Sequence, residues 1–291
     1  MQPFGSRNPN TMLARVIQTC HNASAPFYSR ALAPIVRKLV TKNKQRLPID
    51  ISVDGINLRC QFTDNYSEKK FVFTPWRYDL EEREMLSSLL ANGGNFIDIG
   101  ANVGLYTLTA AKAMKGQAGR IIAIEPNPPT LKRLNDNLSF NQQLTEGRVR
   151  VLDVGVADRE GSFELFLDTS NLGASSISDR NRSKNTAENK DSISIRCLPL
   201  IDILDQEGID KIKALKIDIE GAEDKALLPF LDECSAPQLP DAIFIENSEH
   251  LWTMDLFSKI RSKGYSRKIH NRMNSVFVRI NESNSTENAQ I

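Results

Sequence analysis

The stretch from Asn95 to Ala111, N-F-I-D-I-G-A-N-V-G-L-Y-T-L-T-A-A, constrains this chain more than any other. Phe96, Ile97 and Ile99 read as a short apolar strand, and Leu105, Leu108 and Ala111 set up a helix immediately behind it. Between them lies Gly100-Ala101-Asn102-Val103-Gly104, a turn whose glycines would let the backbone approach a ligand closely. A strand, a glycine turn and a helix N-terminus form a nucleotide-shaped site at the carboxyl edge of a parallel sheet.

The spacing of that turn is G-x-x-x-G, whereas a dinucleotide fingerprint reads G-x-G-x-x-G. Asp98 lies two residues before the first glycine. A carboxylate there repels a pyrophosphate but suits a ligand carrying an ammonium and a sulfonium, the electrostatic shape of S-adenosylmethionine.

The rest of the chain reads as a frame for this element. Residues 1–48 contain eight Lys/Arg and no acid, and read as a basic arm with a helix over roughly Tyr28–Lys44 that packs on the domain or lies loosely outside it, which leaves contact with an anionic membrane or glycolipid open. Ile49 to Phe73 alternates like strands, with Asp54-Gly55 as a hairpin turn. Trp76 to Leu90 reads as an amphipathic helix ended by Asn92-Gly93-Gly94. Further strands are expected at 121–124, 149–152, 163–167, 192–197, 214–219, 243–245 and 275–280. Helices are expected at about Pro129–Phe140 and Leu256–Lys263. Tyr265–His270 with the last strand suggests an edge hairpin. Asp168–Asp191, rich in Ser, Asn, Asp and Lys, reads as a disordered loop or a lid. This alternation predicts an α/β fold with a doubly wound, mostly parallel sheet that binds ligands at its carboxyl edge.

A net charge of +1 argues against a dedicated nucleic-acid surface. Four scattered cysteines without a C-x-x-C pair fit reduced thiols and a cytoplasmic setting, not a zinc site. No apolar run reaches the ~20 residues of a membrane span.

Several acids fall at the predicted ligand edge. Glu125 ends the second core strand, where it can accept hydrogen bonds from ribose hydroxyls. Val156 and Asp158, past the third, are placed to meet an adenine, although Asp158 is equally a turn residue. In Leu215-Lys216-Ile217-Asp218-Ile219-Glu220, period two turns Lys216, Asp218 and Glu220 to one side, Lys216 being able to neutralise an acid. With Glu246 and His250 beyond the next strand, Asp218 and Glu220 are the candidate catalytic groups.

The blocks F-I-D-I-G-A-N-V-G-L-Y-T, I-E-P-N at 124–127 and L-K-I-D-I-E-G-A-E at 215–223 resemble the FkbM-type S-adenosylmethionine-dependent methyltransferases over roughly Trp76 to Ile280. That resemblance implies a class I methyltransferase (Rossmann-like) fold, a seven-stranded sheet with one antiparallel strand, and O-methylation of a sugar, glycan or natural-product hydroxyl. It also implies that Asp98, Gly100, Asn102 and Gly104 line the methionine half of the cofactor and that Glu125 holds the ribose. Ala101, Tyr106, Pro126 and Asn127 of the same blocks join the cofactor site, and Glu81 closes over it. The chain then divides into a basic arm (1–48), a hairpin and helix packed on the core (49–92), a methyltransferase domain (93–280) and a disordered tail (281–291).

Transfer to a neutral hydroxyl needs a general base. Asp218 or Glu220 leads, Glu246 follows and His250 is the outsider; alternatively Asp218 holds the cofactor ammonium. A variant places Mg²⁺ on the same oxygens to acidify the hydroxyl. Two readings outside methyl transfer are a nicotinamide-dependent oxidoreductase, disfavoured by the glycine spacing and Asp98, and a non-catalytic cofactor-binding protein, disfavoured by the full set of acids.

Overall fold

The computed structural model describes residues 2–22, 35, 38, 47–62, 64–167, 176–178 and 192–280. Most of the helix expected over Tyr28–Lys44, most of the loop 168–191 and the tail 281–291 lie outside these residues.

Seven strands form the central sheet: β3 (Phe96–Ile99), β4 (Ile121–Ile124), β5 (Val149–Leu152), β10 (Ala214–Ile217), β11 (Ala242–Glu246), β12 (Tyr265–His270) and β13 (Asn274–Arg279), in the spatial order β12-β13-β11-β10-β3-β4-β5. The pairs β11/β10, β10/β3, β3/β4 and β4/β5 are parallel, and β13 runs antiparallel to both its neighbours. The expected seven-stranded sheet with one antiparallel strand is therefore present, and the chain is of the α/β, Rossmann-like class. The central strands are short apolar runs because both faces are covered. Ile97, Ile99, Ile122, Ile124, Leu215 and Ile217 pack on one face in a single buried cluster with Leu227 and Phe230, while Phe96, Ile121, Ala123 and Ala214 face a second cluster.

That second cluster includes the N-terminal segment. Helix α1 (Thr11–His21) was not anticipated within the basic arm; its Ile17 is buried in the same core as the hairpin β1 (Ile49–Val53) and β2 (Ile56–Cys60). Asp54 and Gly55 both have positive φ, as a two-residue type I′ turn requires. Residues 66–73 correct a strand expectation: they form helix α2 (Tyr66–Phe73). These residues fell within the stretch Ile49 to Phe73 that reads as strands, but the Asn65 side chain caps the N–H of Glu68 and starts a helix instead. After a 3₁₀ turn (Pro75–Arg77) comes α3 (Leu80–Leu90), shorter than expected, and then α4 (Leu105–Ala113) behind the glycine turn. Leu105 to Ala111 of α4 are all buried, because the sheet covers one side and the N-terminal elements the other.

Helices α5 (Pro128–Ser139) and α6 (Gln142–Thr145) follow β4. Asn137 and Asn141 of this region take the N–H groups of Arg59 and Asn57, satisfying the open edge of β2. Strands expected at 163–167 and 192–197 leave the main sheet. They form β7 (Gly161–Phe166) and β9 (Ser192–Leu198), which with β6 (Gly155–Val156) and β8 (Ser176–Ser178) build a separate sheet ordered β6-β9-β7-β8. It has its own small core of Ala157, Phe163, Leu165, Ile195 and Cys197. Helices α7 (Leu200–Glu207) and α8 (Glu223–Glu233), which the sequence reading passed over, and α9 (Leu256–Ser262) pack on the far face of the main sheet. Among the described residues no helix is long and apolar enough to cross a membrane, and the four cysteines are free.

Candidate active site

The site is built around one row of side chains crossing the sheet. Ala123, Asp98, Lys216 and Phe244 are successive register partners on the face covered by α4. Asp98 is fully buried, and Thr107 of α4 donates to its Oδ2 at 2.6 Å. Its Oδ1 is buried without a hydrogen-bond partner. Burial raises the Asp98 carboxyl above its usual range, against the opposing pull of Lys216 and Thr107. Lys216 is itself buried, yet Asp218, Asp98 and Asp79 together outweigh that burial and raise its pKa. Its Nζ lies 3.2 Å from Asp218 Oδ2 and 4.8 Å from the centre of the Tyr106 ring. Lys216 thus serves as the counter-charge for the acids around it.

The glycine turn packs closely against the residue after β10 and against Leu134. A Cβ on Gly100 would meet the Asp218 carbonyl oxygen at 2.0 Å, and one on Gly104 would meet Leu134 Cδ1 at 2.7 Å. Both glycines have positive φ. The neighbour that a Cβ at either position would meet is the protein's own chain. The same packing places Asp218 beside the turn, with its N–H bonded to Ile99 O at 3.1 Å.

Asp218, Glu220 and Glu246 converge: each can bring one carboxylate oxygen to within 4.8 Å of the others. Glu220 adopts a left-handed conformation with φ of 56°. Burial, then the charges of Asp218, Glu220 and Glu223, push Glu246 up to about 9, although the Ser248 hydroxyl bonds to it. This spacing can hold a proton shared among acids, or a cation. The following acids serve structure instead. Glu223 accepts from the N–H groups of Ile219 and Gly221 and from Trp252 Nε1, and Asp224 binds Thr253 and Met254. His250 is exposed and stands outside the trio, so the structure does not bring it to the candidate base.

At the end of β4, Glu125 Oε2 accepts from the N–H of Asn102 at 2.8 Å and Oε1 from that of Asn127 at 3.0 Å. Burial raises its pKa to about 7. Asn102 has φ of 52°, and Ala101, at the turn, donates its N–H to Ile124 O. Pro126 is half-buried between Glu125 and Asn127. Tyr106 is buried, and its hydroxyl donates to Asp79 Oδ2 at 3.2 Å, which makes it part of the wall behind Lys216.

Three sequence-derived positions fall elsewhere. Glu81 is exposed on the outer side of α3, and Glu82 is the buried acid of that helix. Glu82, Leu86 and Leu90 share one face at i, i+4, i+8, a signal that could have found it. Glu82 Oε1 accepts from Asn271 and Asn274 of the β12–β13 turn, and lines a small cavity with Tyr106, Lys216, Asp218 and Glu246. Val156 is a core residue, and Asp158 is exposed and paired with Arg159.

The residues present fit a cofactor with a cationic end. Asp98 keeps an unpaired buried oxygen, and the surrounding acids outnumber the one buried Lys216.

A family model described as the methyltransferase FkbM domain matches residues 98–266. The methyltransferase sdnD of Sordaria araneosa is 27% identical over an alignment of 177 positions that covers 53% of this chain and 64% of that protein. The chain thus spans less than two thirds of that relative's length. Among solved structures, the FkbM methyltransferase of Methylobacillus flagellatus is 19% identical with a TM-score of 0.42, over 88% of this chain and 63% of that one. A SAM-dependent O-methyltransferase of Thermotoga maritima is 12% identical with a TM-score of 0.39, over 80% of this chain and 78% of that one.

Proposed function

Because the chain belongs to the FkbM methyltransferase family, we propose that it moves a methyl group from S-adenosylmethionine to a hydroxyl oxygen of a sugar, glycan or natural-product acceptor. The observation that carries the oxygen reading is the convergence of Asp218, Glu220 and Glu246 beside the glycine turn. A neutral alcohol must lose its proton as its oxygen attacks, and these carboxylates supply the acceptor for that proton.

S-adenosylmethionine, when bound, supplies an electrophilic methyl on a sulfonium. Asp98, the turn around Asn102 and Glu125 hold it: Asp98 offers a free carboxylate oxygen, and Glu125 has lone pairs left for ribose hydroxyls. Asp218, ion-paired with Lys216, takes the hydroxyl proton, and Glu246 stands protonated beside it at neutral pH. Glu82, tied to the β12–β13 turn, closes the side of the cavity formed by α3.

The trio's spacing also favours a second reading, in which Asp218, Glu220 and Glu246 would hold a divalent cation such as Mg²⁺, whose charge would acidify the hydroxyl. The deciding experiment incubates the protein with S-[methyl-³H]adenosylmethionine and a panel of hydroxylated acceptors, with and without chelator. Acid- and base-stable label on a hydroxyl oxygen supports the proposal, and loss of label with chelator supports the metal variant. Binding of NAD but not of S-adenosylhomocysteine in calorimetry would sink both.

A further inference from the structure

Asn65, at the N-terminus of α2, lies outside the matched domain and is almost fully buried. Its Oδ1 accepts the backbone N–H of Glu68 at 3.0 Å, and its Nδ2 donates to Asn102 Oδ1 at 2.8 Å. A backbone N–H can only donate, so the orientation of the Asn65 amide is dictated, and an NH₂ group faces Asn102. Asn102 must then offer its oxygen to Asn65. Its own Nδ2 is left as the free end of the amide, and among the described residues it donates to nothing.

The Asn102 backbone is held as well, with a left-handed φ and an N–H bonded to Glu125. The amide sits two residues before Gly104, the N-cap of α4, where unpaired helix N–H groups favour an anion. The anionic group of the proposed cofactor is the carboxylate of its methionine portion.

We infer that Asn65 is a positioning residue for the cofactor: it holds the Asn102 amide so that the NH₂ end meets that carboxylate. This rests on the cofactor reading above. It gives a residue N-terminal to the matched domain a part in cofactor recognition.

Asn65→Asp separates capping from positioning. An Asp caps a helix as well as Asn does, but offers no donor to Asn102. The Asn102 amide then reverses and turns its oxygen outward. Asn65→Ser caps too, and its shorter side chain withdraws the Nδ2 donor from Asn102 without adding charge. Calorimetry on wild type and both variants would use S-adenosylhomocysteine and its decarboxylated analogue. The expected result is a loss of S-adenosylhomocysteine affinity of about tenfold or more, the size of one hydrogen bond to a charged group, with the analogue changing by less than about twofold. Equal losses for both ligands would make Asn65 a capping residue only, and no loss for either would equally overturn the inference. Failure of wild type to bind S-adenosylhomocysteine would instead overturn the cofactor reading, and this inference with it.

Discussion

Asp218 lies 3.2 Å from the Lys216 ammonium, whereas burial and three neighbouring acids push Glu246 up to about 9, so that it keeps its proton. The two acids therefore answer differently to replacement by an amide. Asp218→Asn should lower single-turnover methyl transfer by about 10²–10⁴-fold while sparing S-adenosylhomocysteine affinity. Glu246→Gln imitates the protonated acid already present, so turnover at pH 7 should stay within about tenfold of wild type. A collapse with Glu246→Gln and a mild effect with Asp218→Asn would exchange their roles. Glu125 gives a pH signature of its own. Its two backbone N–H bonds favour the ionised carboxylate, while burial raises its pKa to about 7. Cofactor affinity should thus climb as pH rises from 6 to 8, and a titration by calorimetry that is flat over this range would contradict it.

The hairpin, the glycine turn and α2 show what could be read from sequence at the level of elements. Asp54-Gly55 was legible because a two-residue turn with positive φ has few residue choices. Asn95–Ala111 was legible as strand, turn and helix. What its glycines do was not, because their neighbours, Asp218 and Leu134, come from distant parts of the chain. Helix α2 was misread since Phe71-Val72-Phe73 looks alike in a buried helix and a strand, and Asn65 decides between them through one cap. Glu82 was missed because the resemblance pointed one residue away, and a helix turns about 100° per residue. The glycines carry a graded test. Gly100→Ala drives a Cβ into a backbone carbonyl at a left-handed position, and should cost more than about 3 kcal/mol in urea unfolding. Gly104→Ala meets the end of a leucine side chain that can shift, and should cost about 1–3 kcal/mol. Equal effects would mean that φ alone, not the close approach of β10, sets the requirement.

Across the whole molecule, buried acids tie stability to pH in an unusual direction. Burial raises Glu68 and Glu125 to about 7, and burial with neighbouring charge raises Glu246 to about 9, all from 4.5. A carboxyl whose folded-state pKa is raised adds stability that is fully present below its unfolded value and lost as pH climbs through the folded one. The ligand-free protein should therefore melt at progressively lower temperature as pH goes from about 5 to 9. A melting temperature that rises over that interval would show that these acids are ionised in the folded state. At this scale the doubly wound, mostly parallel α/β class was legible from alternation, while the strand order, helices α7 and α8 of the far layer and the second sheet were not. Its strands carry the same apolar pattern as the main sheet's, and which sheet a strand joins is settled by pairing between residues far apart in sequence.

That second sheet has a consequence for how such a chain can change over evolutionary time. The excursion leaves the main fold at β6 and returns along β9, whose residues Cys197 and Leu198 pair directly with Gly155 and Val156. Departure and return thus lie one strand spacing apart, so the intervening chain is a detachable cassette whose length the methyl-transfer scaffold does not sense. Each doubling of such a closed loop costs only about 0.6 kcal/mol in closure entropy. Insertions, losses and wholesale exchange should be tolerated here more readily than anywhere between β3 and β4, where one added carbon at Gly100 collides with the backbone.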